Sequence, residues 1–377
     1  MIAGPGSGTS RRAWSRTRSR SPGRSGSTGS EPVASSRHSV RSRGRGGILC
    51  GMSGKAVRAA AVLALALSVA MVPGTAAAAP HCQSITEASN PDWMAGLPDD
   101  ASLAQLSIPG THQTLSLHGG ELTQTQENHG DSAETLAVQL QSGIRAIDIR
   151  VRRYDDRFTL HHGPFYQNAN FSDVLQKAGD FLAAHPGETV LLRLKAECTG
   201  ETGSCTDENS QLDETQIFDW YRDNDPNGKY LLDPAGGAVP TLGEARGKIV
   251  LAVLQGARGG LHEGRGVGQL TNDTWGERVQ DAYTVPTLFD IDDKWAKVRD
   301  HLDKTVSADP GDLFLNFTSG SSPAAFPNAV ACGAAGFRGV NDYALEHLTT
   351  NDLPRTGVIM MDFPGADLVN TIIAANG

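Results

Sequence analysis

Aromatic residues make up 6% of this 377-residue chain and charged residues 20%, beside 39% hydrophobic residues. These proportions exclude a collagen-like, coiled-coil or wholly disordered protein. Long apolar runs are lacking too. The longest, from Ala59 to Val72, is about 14 residues, whereas a membrane-spanning helix needs ~20. There are five cysteines, with no Cys-x-x-Cys and no His-x-x-x-His spacing, which argues against a zinc site. A nucleotide-binding glycine pattern is also missing, because the Gly-rich stretch 256–268 lacks the spacing.

Acid is nearly absent from one end. Residues 1–51 hold ten Arg and a single acid, Glu31. The whole chain carries 33 Lys+Arg and 42 Asp+Glu, a formal net charge of −9. Setting aside the twelve bases and one acid of residues 1–79 leaves 21 bases and 41 acids, a net −20 (21 − 41). The working part of the protein is therefore strongly acidic, and it is not expected to bind nucleic acid.

Residues 52–79 have the three-part layout of a secretory signal peptide. Lys55 and Arg58 precede the apolar run, Pro73-Gly74 breaks it, and small residues follow to Ala79. Cleavage is expected near Ala77–Ala79, with export of residues 80–377. Residues 1–51 lack the apolar side chains for a core and are expected to be disordered. A nucleic-acid-binding arm fits poorly with export, so a translation start at Met52 is the preferred reading. Cys50 belongs to this leader, and the other four cysteines suggest two disulfides in an exported chain. Cys198 and Cys205 bracket the polar loop TGETGS and form the first expected pair. Cys82–Cys332 is then the second.

In the exported part, seven short apolar runs end in polar residues. They are Leu103–Ile108, Arg145–Val151, Phe158–His162, Thr189–Lys195, Lys248–Leu254, Leu313–Phe317 and Gly357–Asp362. Their near-continuous Val/Ile/Leu character fits strands covered on both faces. Helical patterns lie between them, over Ser132–Gln141, Ser172–Ala184 (with Ser172 as N-cap), Ile291–Val306 and Asp342–Leu348. This alternation predicts an α/β fold, an irregular single (β/α)8-type (TIM) barrel over 80–377.

Such barrels carry their chemistry at the C-terminal strand ends. Here these positions hold His112, then Asp148 with Arg150, then His162, then Arg193 with Lys195 and Glu197, and lastly Asp362. Asp148 and Arg150 are two apart on one strand, so they share a face. Any one of these residues could be a turn, cap or packing residue. Together they suit metal-free phosphoryl transfer. One His accepts a proton from an attacking hydroxyl and the other protonates the leaving oxygen. An Arg offsets the charge developing on phosphorus, and a carboxylate fixes the tautomer of the base.

The segments LSIPGTHQTLS, GIRAIDIRVR, LHHGPFYQNANFSDVL, FLAAHPGETVLLRLKAE, VPTLGEARGKIVL and GVIMMDFPGADLVNTII, spread over about residues 100–375, resemble bacterial phosphatidylinositol-specific phospholipase C of the X-domain type. The resemblance implies a lyase that releases diacylglycerol and inositol 1,2-cyclic phosphate. It implies His112 as general base, Asp362 as its orienting partner and His162 as general acid. Arg150 would bind phosphate in place of the calcium of eukaryotic relatives, with Asp148 supporting it. Lys195, Asp281 and Tyr283 would bind inositol. No cofactor and no required metal are implied, and the partner would be a phosphatidylinositol-containing membrane surface, met by a secreted monomer. Among loop aromatics, Phe165, Tyr166 and Trp275 are candidates to reach lipid; His118, His129 and His161 read as loop or packing residues.

One position departs from the family. Gln113 stands where the family usually has Asp beside the first His, and there that Asp pairs with the second His. Gln cannot neutralise an imidazolium, so His162 is expected to have a lower pKa and to be a weaker acid at neutral pH. Two alternatives stay open: another phosphodiester substrate, such as a glycosylated inositol lipid, or a barrel that binds without turnover. The family's inositol-binding Arg has no clear counterpart, although Arg258 lies in the right region.

Overall fold

The computed structural model describes residue 82 and residues 84–377, except 126–128, 130, 202 and 235. The expected leader (1–51) and signal peptide (52–79) lie outside the described residues. The strands are β1 (Ser107–Thr111), β2 (Ala146–Tyr154), β3 (Arg157–His162), β4 (Phe165–Asn170), β5 (Val190–Ala196), β6 (Leu231–Leu232), β7 (Ile249–Gln255), β8 (Val279–Gln280), β9 (Leu315–Phe317) and β10 (Gly357–Met361). The helices are α1 (Ser132–Ser142), α2 (Phe171–Ala184), α3 (Glu214–Asn224), α4 (Leu242–Ala245), α5 (Trp275–Arg278), α6 (Ile291–Ser307), α7 (Pro327–Cys332), α8 (Val340–Thr350) and α9 (Ala366–Ala374).

Eight strands pair in parallel in the order β6-β7-β5-β2-β1-β10-β9-β8, and β3 and β4 extend antiparallel from β2. This is the expected α/β barrel in an irregular form: β6 and β8, at the two ends of the path, are only two residues long. Among the described residues no ladder joins those ends, so a seam runs between the β6–β7 side and β8.

Side-chain alternation builds two apolar layers. On β2, Ile147 and Ile149 pack outward with helix residues such as Leu140, Leu175 and Phe181. Ala146 packs inward with Leu191, Val250, Phe317, Val358 and Met360, which fill the lower barrel. The inward row then turns polar, with Asp148 and Arg150 on β2, Arg193 and Lys195 on β5, and Asp362 after β10. The period of two along a strand places them on the interior face, as the sequence predicts. Two buried arginines anchor the opposite end. Arg145 pairs with Glu188 at 2.8 Å. Arg355 donates to the carbonyls of Ala104, Thr305, Ala308, Asp309 and Pro310.

Three expectations are corrected. The first strand is not Leu103–Ile108. Residues 103–105 form a 3-10 turn closed by a reciprocal Ser102–Gln105 capping box, and β1 begins at Ser107. It runs through Pro109-Gly110 because Gly110 lies where strands crowd together. A Cβ there would sit 2.6 Å from Met360 Sδ and 2.8 Å from Ala146 Cβ, so only glycine fits. Secondly, β3, which ends in His162, is not a barrel strand. Asp155 and Asp156, both at positive φ (49° and 54°), make a two-residue hairpin turn, and β3 returns antiparallel to β2 with Leu160 opposite Val151. His162 still reaches the barrel mouth. Thirdly, the N-cap of α2 is Asn170, in a capping box with Asp173, and not Ser172, whose hydroxyl bonds Asp225.

Both expected disulfides form, Cys82–Cys332 across 250 residues and Cys198–Cys205 across 7. Loop-closure entropy makes them unequal. Replacing Cys82 and Cys332 by Ser should cost roughly 5 kcal/mol, and replacing Cys198 and Cys205 roughly 2 kcal/mol. Urea unfolding of residues 80–377 checks the order; equal midpoints for the two double variants would contradict it.

Candidate active site

The site is assembled from strand ends that face one cleft of about 690 Å³. His112, Arg150, His162, Lys195, Asp281, Tyr283 and Asp362 all line it, and Gln113, Arg193 and Arg258 join them. Asp148 lies beneath the cleft floor and is fully buried.

Asp148 is the hub. Arg150 Nε and Nη2 donate to its oxygens at 2.9–3.1 Å, Arg193 Nη1 donates to both at 3.1 Å, and the Gln113 amide donates at 3.1 Å. Burial alone would push this carboxyl up, but the two guanidinium charges outweigh it and hold the group far below the usual carboxylate range. Burial likewise works against the Arg150 cation, but Asp148 and Glu197 outweigh it and secure the charge. Arg193 also donates to Gln255 Oε1 at 2.7 Å and lies 3.8 Å from Asp281. Its guanidinium packs over the rings of Phe317 and Trp275. Trp275 is therefore engaged with the barrel interior and is not free to enter lipid. Phe165 and Tyr166 remain exposed.

His112 follows β1. Its Nδ1 lies 2.8 Å from Asp362 Oδ1 and its Nε2 lies 3.1 Å from Arg150 Nη2. Because Arg150 can only donate, Nε2 is the unprotonated nitrogen and Nδ1–H donates to Asp362. The ring edge rests on Phe317. Burial, and then the Arg150 charge, hold the imidazole well below its ordinary pKa, so it is neutral with its lone pair aimed into the cleft.

His162, at the end of β3, binds Ser116 Oγ through Nδ1 at 2.8 Å. Burial lowers its pKa to about 4, against the opposing charge of Glu197. The direction agrees with the lower pKa expected of His162, although burial is its foremost cause. Gln113 does not take the place of a paired carboxylate. It sits at positive φ (43°), and its buried Oε1 has no hydrogen-bond partner.

Glu197 received no role from the sequence alone. Here it accepts from Arg150 Nη1 at 3.1 Å and from the Gly163 amide at 3.1 Å, and lies 3.6 Å from Lys195 Nζ. Arg150 and burial lower Lys195 to about 8. The alternation Arg193-x-Lys195-x-Glu197 was the available signal, since every second residue shares a face. Ser116 gave none, because its loop brings it to His162 only on folding. Tyr283 stands 63% exposed at the rim, free to cover a ligand.

Comparison with known proteins now decides the family. Residues 106–254 match the family described as phosphatidylinositol-specific phospholipase C, X domain. A 1-phosphatidylinositol phosphodiesterase of Listeria monocytogenes is 31% identical over 302 residues, spanning 75% of this chain and 84% of that protein. The chain belongs to the phosphatidylinositol-specific phospholipase C family. The fold agrees with this. The phosphatidylinositol-specific phospholipase C structure from L. monocytogenes matches at a TM-score of 0.57 with 27% identity, over 77% of this chain and 99% of that one. A Staphylococcus aureus family member, in a structure described as addressing modulation of its membrane binding, matches at 0.56 with 25% identity, over 78% and 100%.

Within this phospholipase C site, Glu197 raises the pKa of both His162 and Lys195 through its charge. Glu197→Gln should therefore lower both values in an NMR titration. Unmoved His162 and Lys195 values would contradict the assigned electrostatics.

Proposed function

We propose that this protein is an exported phosphatidylinositol-specific phospholipase C that acts at a membrane surface. The observation that carries the reading is the Asp362–His112–Arg150 line, which aims an unprotonated imidazole nitrogen into the same cleft that holds His162.

The reaction follows from the groups present. His112 Nε2 accepts the proton of the inositol 2-hydroxyl, and that oxygen attacks phosphorus. The new P–O bond closes a five-membered cyclic phosphodiester. Attacker and target sit in one molecule, which gives a large proximity advantage. As the bond from phosphorus to the glycerol oxygen breaks, His162 supplies the proton that this oxygen needs to leave as diacylglycerol. Asp362 stabilises the imidazolium formed on His112. Arg150 uses Nε and Nη2 on Asp148 and His112, so the phosphate, where charge builds in the transition state, would be met by the N–H of Nη1 that does not bond Glu197. A fixed guanidinium beside Asp148 supplies there the positive charge that a metal would otherwise bring. Lys195, Asp281 and Arg193 can receive inositol hydroxyls, with Tyr283 over the ring.

Burial keeps both imidazoles neutral before substrate arrives. For His112 this suits a base. For His162 it means that only a small fraction is protonated at neutral pH, until the phosphate anion enters and favours the charged form.

Phosphatidylinositol vesicles with chelator, followed by phosphorus NMR, test the reading. A cyclic phosphate signal is expected, and His112→Ala should reduce its rate about 10²–10⁴-fold. The absence of product with and without added calcium would overturn the proposal. The pH profile is a second check. Because His162 must carry its proton and its free-enzyme pKa is about 4, kcat/KM should fall as the pH rises above about 5, since that ratio reports the free enzyme. A flat profile from pH 5 to 8 would remove His162 from the acid role.

A further inference from the structure

Ser116 lies in the loop after β1 and is 2% exposed, with its Oγ 2.8 Å from His162 Nδ1. The backbone of this loop holds it there. The Ser116 amide donates to the Gln113 carbonyl at 2.8 Å, and the Ser116 carbonyl accepts from the amides of Gln124 and Thr125 at 3.2 and 3.3 Å. The next two amides, of Leu117 and His118, both donate to Gln167 Oε1 at 2.8 Å, and Gln167 Nε2 donates to the His118 carbonyl at 2.8 Å. Gln167 belongs to β4, the hairpin partner of the strand that carries His162. One buried amide side chain thus ties the serine loop to the histidine hairpin.

With Nδ1 engaged by Ser116, His162 exchanges protons with a substrate through Nε2. The protonation state of the ring sets the direction of the serine bond. An imidazolium carries hydrogen on both nitrogens, so its Nδ1–H can only donate and Ser116 Oγ must accept. The hydroxyl's own proton then turns away from the ring. Ser116 and Gln113 line one small buried chamber, and Gln113 Oε1, buried without a partner, is available to receive that proton. A charge-assisted hydrogen bond is about twice as strong as a neutral one, so the hydroxyl favours the charged ring over the neutral one. Other groups act on the ring from further off. Glu197, just after β5, favours the imidazolium, while Lys195 on β5 and Arg150 on β2 oppose it. His112 lies across the same cleft. Among the described residues, no carboxylate forms an ion pair with His162.

We propose that Ser116 is a positioning residue for the general acid: it accepts from Nδ1–H of protonated His162 and keeps Nε2–H directed at the leaving oxygen. This deepens the lyase reading and rests on His162 as its acid. As the bond from phosphorus to the glycerol oxygen breaks, the Nε2 proton passes to that oxygen. The ring is left neutral with Nδ1–H still on Ser116, and Nε2 takes its next proton from solvent. A neutral hydroxyl here holds the place beside the second His that a carboxylate holds in the family.

The test compares two substrates. Phosphatidylinositol releases an alkoxide that needs a proton, whereas the nitrophenyl ester of inositol 1-phosphate releases a phenolate that leaves without one. On phosphatidylinositol vesicles, Ser116→Ala should lower kcat about 10–100-fold, the effect of losing one hydrogen bond to a charged group, with KM within about threefold. On the nitrophenyl ester, Ser116→Ala should stay within about threefold of wild type. Nitrogen NMR of the His162 ring near pH 4, close to its pKa, reads the bond without turnover. Assigned by its loss in His162→Ala, the signal should show fewer protonated rings in Ser116→Ala than in wild type. No loss on phosphatidylinositol, an equal loss on both substrates, or more protonated rings would each overturn the inference. His162→Ala, assayed alongside, separates the two readings. If its own loss depends on the leaving group, the acid role of His162 stands whatever Ser116 does. If its loss is equal on both substrates, the acid role fails and the inference fails with it. Should Ser116→Ala not fold, Ser116→Cys, whose thiol is only a weak acceptor, takes its place with the same expected results.

Discussion

The upper half of this barrel depends on one buried carboxylate between two guanidinium groups. Asp148 cannot be neutral in that position, and neither Arg150 nor Arg193 would be stable in the interior without it. Two cations on one anion leave a net positive charge under the cleft. Glu197 balances that excess one for one, and Lys195 beside it supplies the further cation open to a phosphate. The same cluster aims Arg150 Nη2 at His112 Nε2 and so helps to choose which imidazole nitrogen stays bare. In the proposed reaction, phosphate binding and base activation thus share one electrostatic origin.

Much of this was legible in the sequence, for definite reasons. The two-residue spacing of Asp148 and Arg150 gives their common face, because strand periodicity leaves no other choice. Cys198 and Cys205 flank so short a polar loop that their pairing is almost local. The strand ends and the family segments brought His112, Arg150, His162 and Asp362 into one site. Elsewhere tertiary context decided. Leu103–Ile108 looks like a strand by composition, yet a capping box takes its start, and close packing at Gly110 carries the strand through a proline. His162 seemed to end a barrel strand, whereas the Asp155-Asp156 turn makes its strand a hairpin return. Ser116 had no local signal at all. A serine in a polar loop has its ordinary place in solvent, and only the folded chain shows it buried against His162.

Overall charge and local charge point in opposite directions. Residues 80–377 carry a net −20, which opposes an anionic bilayer at long range and is screened within about 8 Å at physiological salt. Attraction has to be local, and Arg150, Arg193, Lys195 and Arg258 gather at the cleft. The exposed rings of Phe165, Tyr166 and Tyr283 add apolar surface that does not depend on charge.

The seam in the sheet divides the work of the cleft. His112, Arg150, His162, Lys195 and Asp362 are borne by β1, β2, β3, β5 and β10, which form one unbroken hydrogen-bonded ladder. Arg258 follows β7, and Asp281 and Tyr283 follow β8, on opposite banks of the gap that no ladder bridges. The groups proposed to make and break bonds therefore share one continuous ladder, while those proposed to meet the head group stand on two margins that no ladder joins among the described residues. In such a barrel, evolution or engineering can widen or narrow what is recognised by altering the loops at those margins, without disturbing the proton-transfer geometry on the other side.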